Sequence, residues 1–105
     1  MEVYSTKLYD KWFEKLKDKR AKAKIDRRLY RLKHYNSWGD CETVSKNVSE
    51  IKIDYGPGYR LYFTKKEGKI IILLIGGDKS TQTRDIKKAE KTALNISINE
   101  VTKWL

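Results

Sequence analysis

The chain has 105 residues, 24 of them Lys or Arg against 14 Asp or Glu, for a formal net charge of +10. That length suits a single domain over residues 1–105 with its own core, and the positive excess points to a polyanionic partner such as nucleic acid, an acidic protein or anionic lipid. One cysteine, Cys41, excludes an internal disulfide, and no apolar leader or span of about 18 apolar residues is visible, so a cytoplasmic protein with no membrane partner is expected.

Glu2 to Ser5 alternates mildly and predicts a first strand. Thr6 is placed to cap a helix in which Leu8, Trp12 and Leu16 recur at a spacing of four beside Tyr9 and Phe13, with Lys7, Lys11, Lys15 and Asp18 on the other face. A polar break at Asp18-Lys19-Arg20 leads to a second helix whose buried stripe is Ile25, Leu29 and Leu32. Its remaining surface is basic: Lys22, Lys24, Arg27, Arg28, Arg31 and Lys33. Cations on one helical face neutralise several phosphates at once, which makes Arg27, Arg28 and Arg31 candidates for substrate binding. A solvated helix face is the competing reading, since no turn typical of a recognition helix precedes it. The charge is uneven, with 12 basic and 5 acidic residues in 1–36 and 12 and 9 in 37–105.

Lys33 to Lys46 is rich in turn formers and reads as an irregular loop. It holds His34, the only histidine, which suits either a general base or a partner for a helix C-terminus. Cys41 has no partner for a metal site and reads as structural. Asn47-Val48-Ser49 matches a glycosylation acceptor, but nothing routes the chain to a glycosylating compartment.

From Val48 to Tyr55, Ser49, Ile51, Ile53 and Tyr55 oppose Glu50, Lys52 and Asp54, predicting a half-buried strand. Gly56-Pro57-Gly58 must turn. Tyr59, Leu61 and Phe63 then point one way, and Arg60, Tyr62 and Thr64 the other. Lys65 to Gly68 fits a hairpin into Ile70–Ile75, six consecutive apolar residues closed by Gly76-Gly77, as in a strand buried on both faces. Asp78-Lys79-Ser80 lacks the glycines of a phosphate-binding loop, so nucleotide hydrolysis is rejected. Ser80 or Thr81 is expected to cap a helix to about Leu94, with Ile86, Ala89 and Ala93 inward. Ser97 and Glu100 form a capping-box pattern for a last short helix with Val101, Trp104 and Leu105. The predicted class is α+β: an N-terminal strand and helical hairpin packed on an antiparallel meander, followed by a C-terminal helix.

Gly39-Asp40, then Val48 to Phe63 with its Gly56-Pro57-Gly58-Tyr59-Arg60 turn, then Ile72 to Gln82 and Asp85 to Ala89, resemble the HigB-like, phage Gp49-type branch of the RelE/ParE toxin superfamily. The resemblance implies a RelE-like fold and the toxin of a bacterial type II toxin–antitoxin pair. It further implies an antitoxin partner, expected to be a helix-turn-helix protein, with the ribosome and mRNA as the other partners. Many relatives cleave mRNA on the ribosome, whereas ParE-type relatives inhibit DNA gyrase and cleave nothing; a plain basic RNA-binding domain is the third reading. Carried over by position, the residues serving the cut are Lys52, Arg60 and, by looser alignment, Lys79. Where some relatives carry a second lysine, this chain has Glu50. Arg60 has the fork geometry to hold two phosphate oxygens. Lys52 suits a base if its pKa is lowered, and Tyr62 suits a hydrogen bond to phosphate or stacking on a base. Neither a metal nor another cofactor is expected.

Overall fold

The computed structural model describes residues 1–104. In chain order it runs β1 (Glu2–Ser5), α1 (Lys7–Lys15), α2 (Lys19–Tyr35), β2 (Cys41–Thr43), β3 (Ser49–Ile53), β4 (Tyr59–Lys66), β5 (Ile70–Asp78), α3 (Gln82–Asn95) and β6 (Thr102–Lys103). The six strands form one sheet in the order β2-β3-β4-β5-β1-β6. β2 to β5 are antiparallel neighbours, and β1 lies parallel to β5. The class is therefore α+β, as expected, but the sheet is mixed, because β1 continues the meander from its far side.

Each helix covers one face. α1 and α2 lie on the face that carries Val3, Ile51, Ile53, Leu61, Phe63, Ile71 and Leu73, against which Tyr9, Ala21, Ile25, Leu29 and Leu32 are buried. α3 covers the other, packing Ala89 and Ala93 on Tyr62, Ile72, Leu74 and Ile75. Thr6 caps α1 by accepting from the Tyr9 N–H, and Asp18 caps α2 by accepting from Arg20 and Ala21. The seam of α1 is centred on Tyr9, Trp12 and Phe13; Leu8 is instead exposed.

A register shift between Tyr62 and Phe63 breaks the β4–β5 ladder, so Tyr62 pairs with Ile75 while Phe63 pairs with Leu73. Leu74 and Ile75 consequently both face α3, and the side-chain alternation of β5 inverts beyond them. The hydroxyl of Thr6 donates to the Leu74 carbonyl at 2.7 Å, satisfying this irregular point. The inversion turns Gly76 toward α1 and Gly77 toward α3. A Cβ at Gly76 would strike the Trp12 indole, and one at Gly77 the Asp85 carboxylate. The two glycines are thus needed by close approach on opposite faces.

Four sequence expectations are corrected. α2 runs on to Tyr35 and ends at Asn36 in the left-handed region, and the supposed loop after it contains β2. Thr81 stands at the N-cap position of α3, as expected, but its side chain makes no capping hydrogen bond; Asp78 instead accepts from the Ser80 N–H to cap the single 3-10 turn Lys79–Thr81 that leads into α3. The capping box of Ser97 and Glu100 is present but closes only the turn Ile98–Glu100. Beyond it the chain extends as β6, and the Trp104 N–H donates to the Val3 carbonyl at 2.8 Å, because the outer edge of β1 offers unpaired backbone groups. Leu105, the last residue assigned to that helix, lies outside the described residues.

Candidate functional site

Strand pairing assembles the central residues. Lys52 on β3 stands opposite Arg60 on β4, and Arg60 stands opposite Gly77 on β5. Alternation with Ile51 and Ile53, which face α2, puts Glu50 and Lys52 on the α3 face with Arg60 and Tyr62. Because Gly77 has no side chain, the position beside Arg60 stays open for Asp85 and the start of α3. Gly58, at φ +79°, closes the site from the β3–β4 turn: a Cβ there would lie 3.9 Å from Arg60 Nη1 and 3.5 Å from Lys79 Cβ. Arg60 Nη1 and the Lys79 Cβ therefore both lie against the bare backbone of Gly58.

The anchoring of Arg60 comes from a residue that looks exposed in the sequence. Glu50 has no solvent exposure, and its Oε1 is 3.4 Å from Arg60 Nε, whose own side chain is 13% exposed. The amide of Gln82, in the first turn of α3, donates to both Glu50 oxygens at 3.0 and 3.2 Å. Burial raises the Glu50 pKa, while Arg60 and Lys52 pull it down. The Arg60 Nε is buried without a hydrogen bond among the described residues. Glu50 thus holds the inner edge of the guanidinium, and Nη1 points toward Gly58.

Lys52 is paired differently. Its Nζ lies 2.8 Å from Oε1 of Glu42 on the edge strand β2. That hydrogen bond is the largest influence on Lys52 and raises its pKa above the ordinary lysine value. The expectation of a lowered pKa and a basic amine is corrected: in this arrangement Lys52 is an ammonium ion. Lys79 is exposed, and with Ser80, Gln82, Arg84 and Lys87 it lines a shallow cleft of about 540 Å³ beside the site. The backbone N–H of Ser80 is occupied by Asp78 at 2.8 Å, so at that start of the helix an anion is already supplied by the chain itself.

Other expected site residues lie elsewhere. Tyr62 is fully buried beneath α3 with its hydroxyl unpartnered among the described residues, and burial raises its pKa; it packs the core and does not face a nucleotide. Arg28 donates to the carbonyls of Lys52, Trp38 and Asp40, tying α2 to the β2 edge, so its guanidinium is committed to structure. Arg27 and Arg31 are exposed on α2, across the sheet from Arg60, and the fold does not bring them to the same site. His34 is exposed on that same helix against Tyr30, far in topology from Arg60. The residues missed in the sequence are Gln82 and Glu42. Nothing local marked Gln82; Glu42 would have required recognising β2, where it stands opposite Glu50.

Among the described residues no group of three or more His, Cys, Asp or Glu side chains is arranged to hold a metal ion, and no helix is long and apolar enough to cross a membrane. The family described as "Phage derived protein Gp49-like (DUF891)" matches residues 11–101. An uncharacterized protein of Haemophilus influenzae is 43% identical over 98 residues, which cover 93% of this chain and 98% of the relative. No solved structure matches.

Proposed function

This chain belongs to the phage-derived Gp49-like family, and we infer that it acts as the toxin of a bacterial type II toxin–antitoxin pair, with the RelE-like fold that its sequence resembles. The proposed activity is cleavage of mRNA on the ribosome. The observation that carries this reading is the cross-strand pair Lys52–Arg60, with Arg60 directed by a buried carboxylate toward Gly58 and Lys79. An arginine fixed at its inner edge and open at its outer one is preorganised to hold a phosphate that gains charge in a transition state.

The reaction is attack of a ribose 2′-oxygen on the adjacent phosphorus, with departure of the 5′-oxygen to leave a cyclic phosphate and a new 5′-hydroxyl end. Arg60 binds the non-bridging oxygens. Lys52, as an ammonium, stabilises charge or protonates the leaving oxygen. Lys79, Arg84 and Lys87 along the neighbouring cleft hold the flanking backbone. Removal of the 2′-proton falls to a base brought by the substrate complex, or to Lys52 once it is freed from Glu42.

Expression from a tight promoter, with mapping of cellular RNA 5′ ends, tests the reading. New ends confined to translated messages are expected, and these should vanish in Arg60→Met carried in a Glu50→Gln background, which removes the buried pair together. Growth arrest with intact mRNA and DNA damage would instead indicate gyrase inhibition, and expression without toxicity would indicate a plain RNA-binding domain. A neighbouring gene for a helix-turn-helix protein that relieves the arrest is the expected antitoxin.

A further inference from the structure

The densest positive charge of the molecule is not at Arg60. α2 alone carries eight Lys or Arg residues against one acid, Asp26. Several of these cations are already engaged. Arg28 is bound to three carbonyls, Lys33 donates to the Trp104 carbonyl, Lys22 sits over the Phe13 ring and Lys24 over the Tyr55 ring. Arg27 and Arg31 are exposed and make no ion pair among the described residues.

Beside them lies a group of exposed rings that the core does not use. Tyr30 is 50% and Tyr35 70% exposed. The Tyr30 and His34 ring centroids are 4.3 Å apart, and Tyr35 lies 6.2 Å from Tyr30. Helical spacing alternates the two kinds of group: Arg27 precedes Tyr30 by three residues, and Arg31 precedes His34 by three and Tyr35 by four. An acidic peptide would satisfy the two arginines but leave the rings idle. A single nucleic-acid strand uses both, with phosphates on the guanidinium groups and unpaired bases on the aromatic faces.

We propose that the outer face of α2, built from Arg27, Tyr30, Arg31, His34 and Tyr35, is a binding surface for single-stranded nucleic acid, separate from the Arg60 site and on the opposite side of the sheet. It holds the polyanion without cutting it, so it does not depend on the cleavage assigned to the other face. Every side chain in it is exposed, and the fold does not rest on any of them.

The test is fluorescence anisotropy with a labelled 2′-O-methyl RNA strand of about a dozen nucleotides, which cannot be cleaved by its own 2′-oxygen. The double variant Tyr30→Ala/Tyr35→Ala should weaken binding about thirtyfold or more with no change in its salt dependence. Arg27→Gln/Arg31→Gln should weaken it and lower the slope of log affinity against log salt by about 1.4, the value for two phosphate contacts on a single strand. The Glu50→Gln/Arg60→Met variant, which gives up one phosphate contact on the opposite face, should weaken binding less than either of these α2 variants. Equal binding by the tyrosine variant, or a loss on removal of Arg60 as large as that on removal of the rings, would overturn the proposal. So would polyglutamate competing as well as the RNA. A DNA strand of the same sequence separates the two sources: equal affinity assigns the surface to single strands in general, and preference for the 2′-O-methyl strand assigns it to RNA.

Discussion

The two faces of the sheet handle positive charge in opposite ways. On the α3 face each central cation has an acid of its own: Arg60 has Glu50, Lys52 has Glu42, and Asp78 occupies the helix start beside Lys79. On the α2 face Arg27 and Arg31 stand in solvent with aromatic rings between them. The first arrangement fixes directions at the cost of net attraction; the second attracts a polyanion over a wide area and fixes little. On the proposed reading, orientation and recruitment fall to different sides of one small sheet.

The comparison is broken most severely by removing Arg60 alone. Arg60→Met leaves the Glu50 carboxylate buried with Gln82 as its hydrogen-bond partner and the charge of Lys52, and breaking the buried pair should cost about 3–5 kcal/mol at neutral pH. The pH dependence has a definite sign. Burial already places the folded pKa of Glu50 above its ordinary value, and Arg60 opposes that rise. Without Arg60 the folded state binds the proton more tightly still, so stability falls as pH increases from the ordinary glutamate range through the raised folded value. Urea melts of the variant should therefore show greater stability near pH 5 than near pH 8, and Glu50→Gln added to it should flatten the difference. Arg27→Met, by contrast, should leave the melt unchanged, because its side chain is solvated.

Gly77→Ala is expected to be the next largest perturbation. The added methyl group overlaps the Asp85 carboxylate, so the Asp85 side chain or the start of α3 must shift, at about 1–3 kcal/mol. Nuclear magnetic resonance should show changes around Asp85, Thr81 and Gln82 while the α2 signals stay in place. Arg28→Met comes after it and acts on the other boundary. It releases the Lys52, Trp38 and Asp40 carbonyls, and hydrogen exchange should accelerate in β2 before any change in α3, for about 1–2 kcal/mol.

Legibility in the sequence followed the range of the interactions. The alternation of β3 and β4, the apolar run of β5 and the Gly76-Gly77 exit are local patterns, and each placed its strand correctly. The capping residues Thr6 and Ser97 were also readable, since a cap binds within three residues. β2 was not, because three residues on an edge carry little period and are held by Arg28 from a distant helix. Glu50 was misread for a related reason: a charged residue in alternation normally marks a solvent face, and only the packing of α3, which brings Gln82 and buries Tyr62, turns that face inward. Arg60 was therefore identified while its anchor was taken as a departure from the pattern.

The smallest expected effect bears most directly on the chemistry. Glu42 is exposed on the edge strand, and Glu42→Gln should leave the unfolding midpoint within error. Its hydrogen bond is the main cause of the raised pKa of Lys52, so the variant should lower that pKa, as read from the side-chain resonances of Lys52 across a titration. For the proposed cleavage, the variant separates two roles. If the neutral amine of Lys52 takes the 2′-proton, Glu42→Gln increases the fraction of that form near neutral pH, and the cleavage profile moves to lower pH. If Lys52 serves only as a cation beside Arg60, the profile stays where it was, because the ammonium form still predominates. A shift in the resonance without a shift in the profile would therefore place the base outside this pair of strands and confine the α3 face to holding charge in a fixed direction.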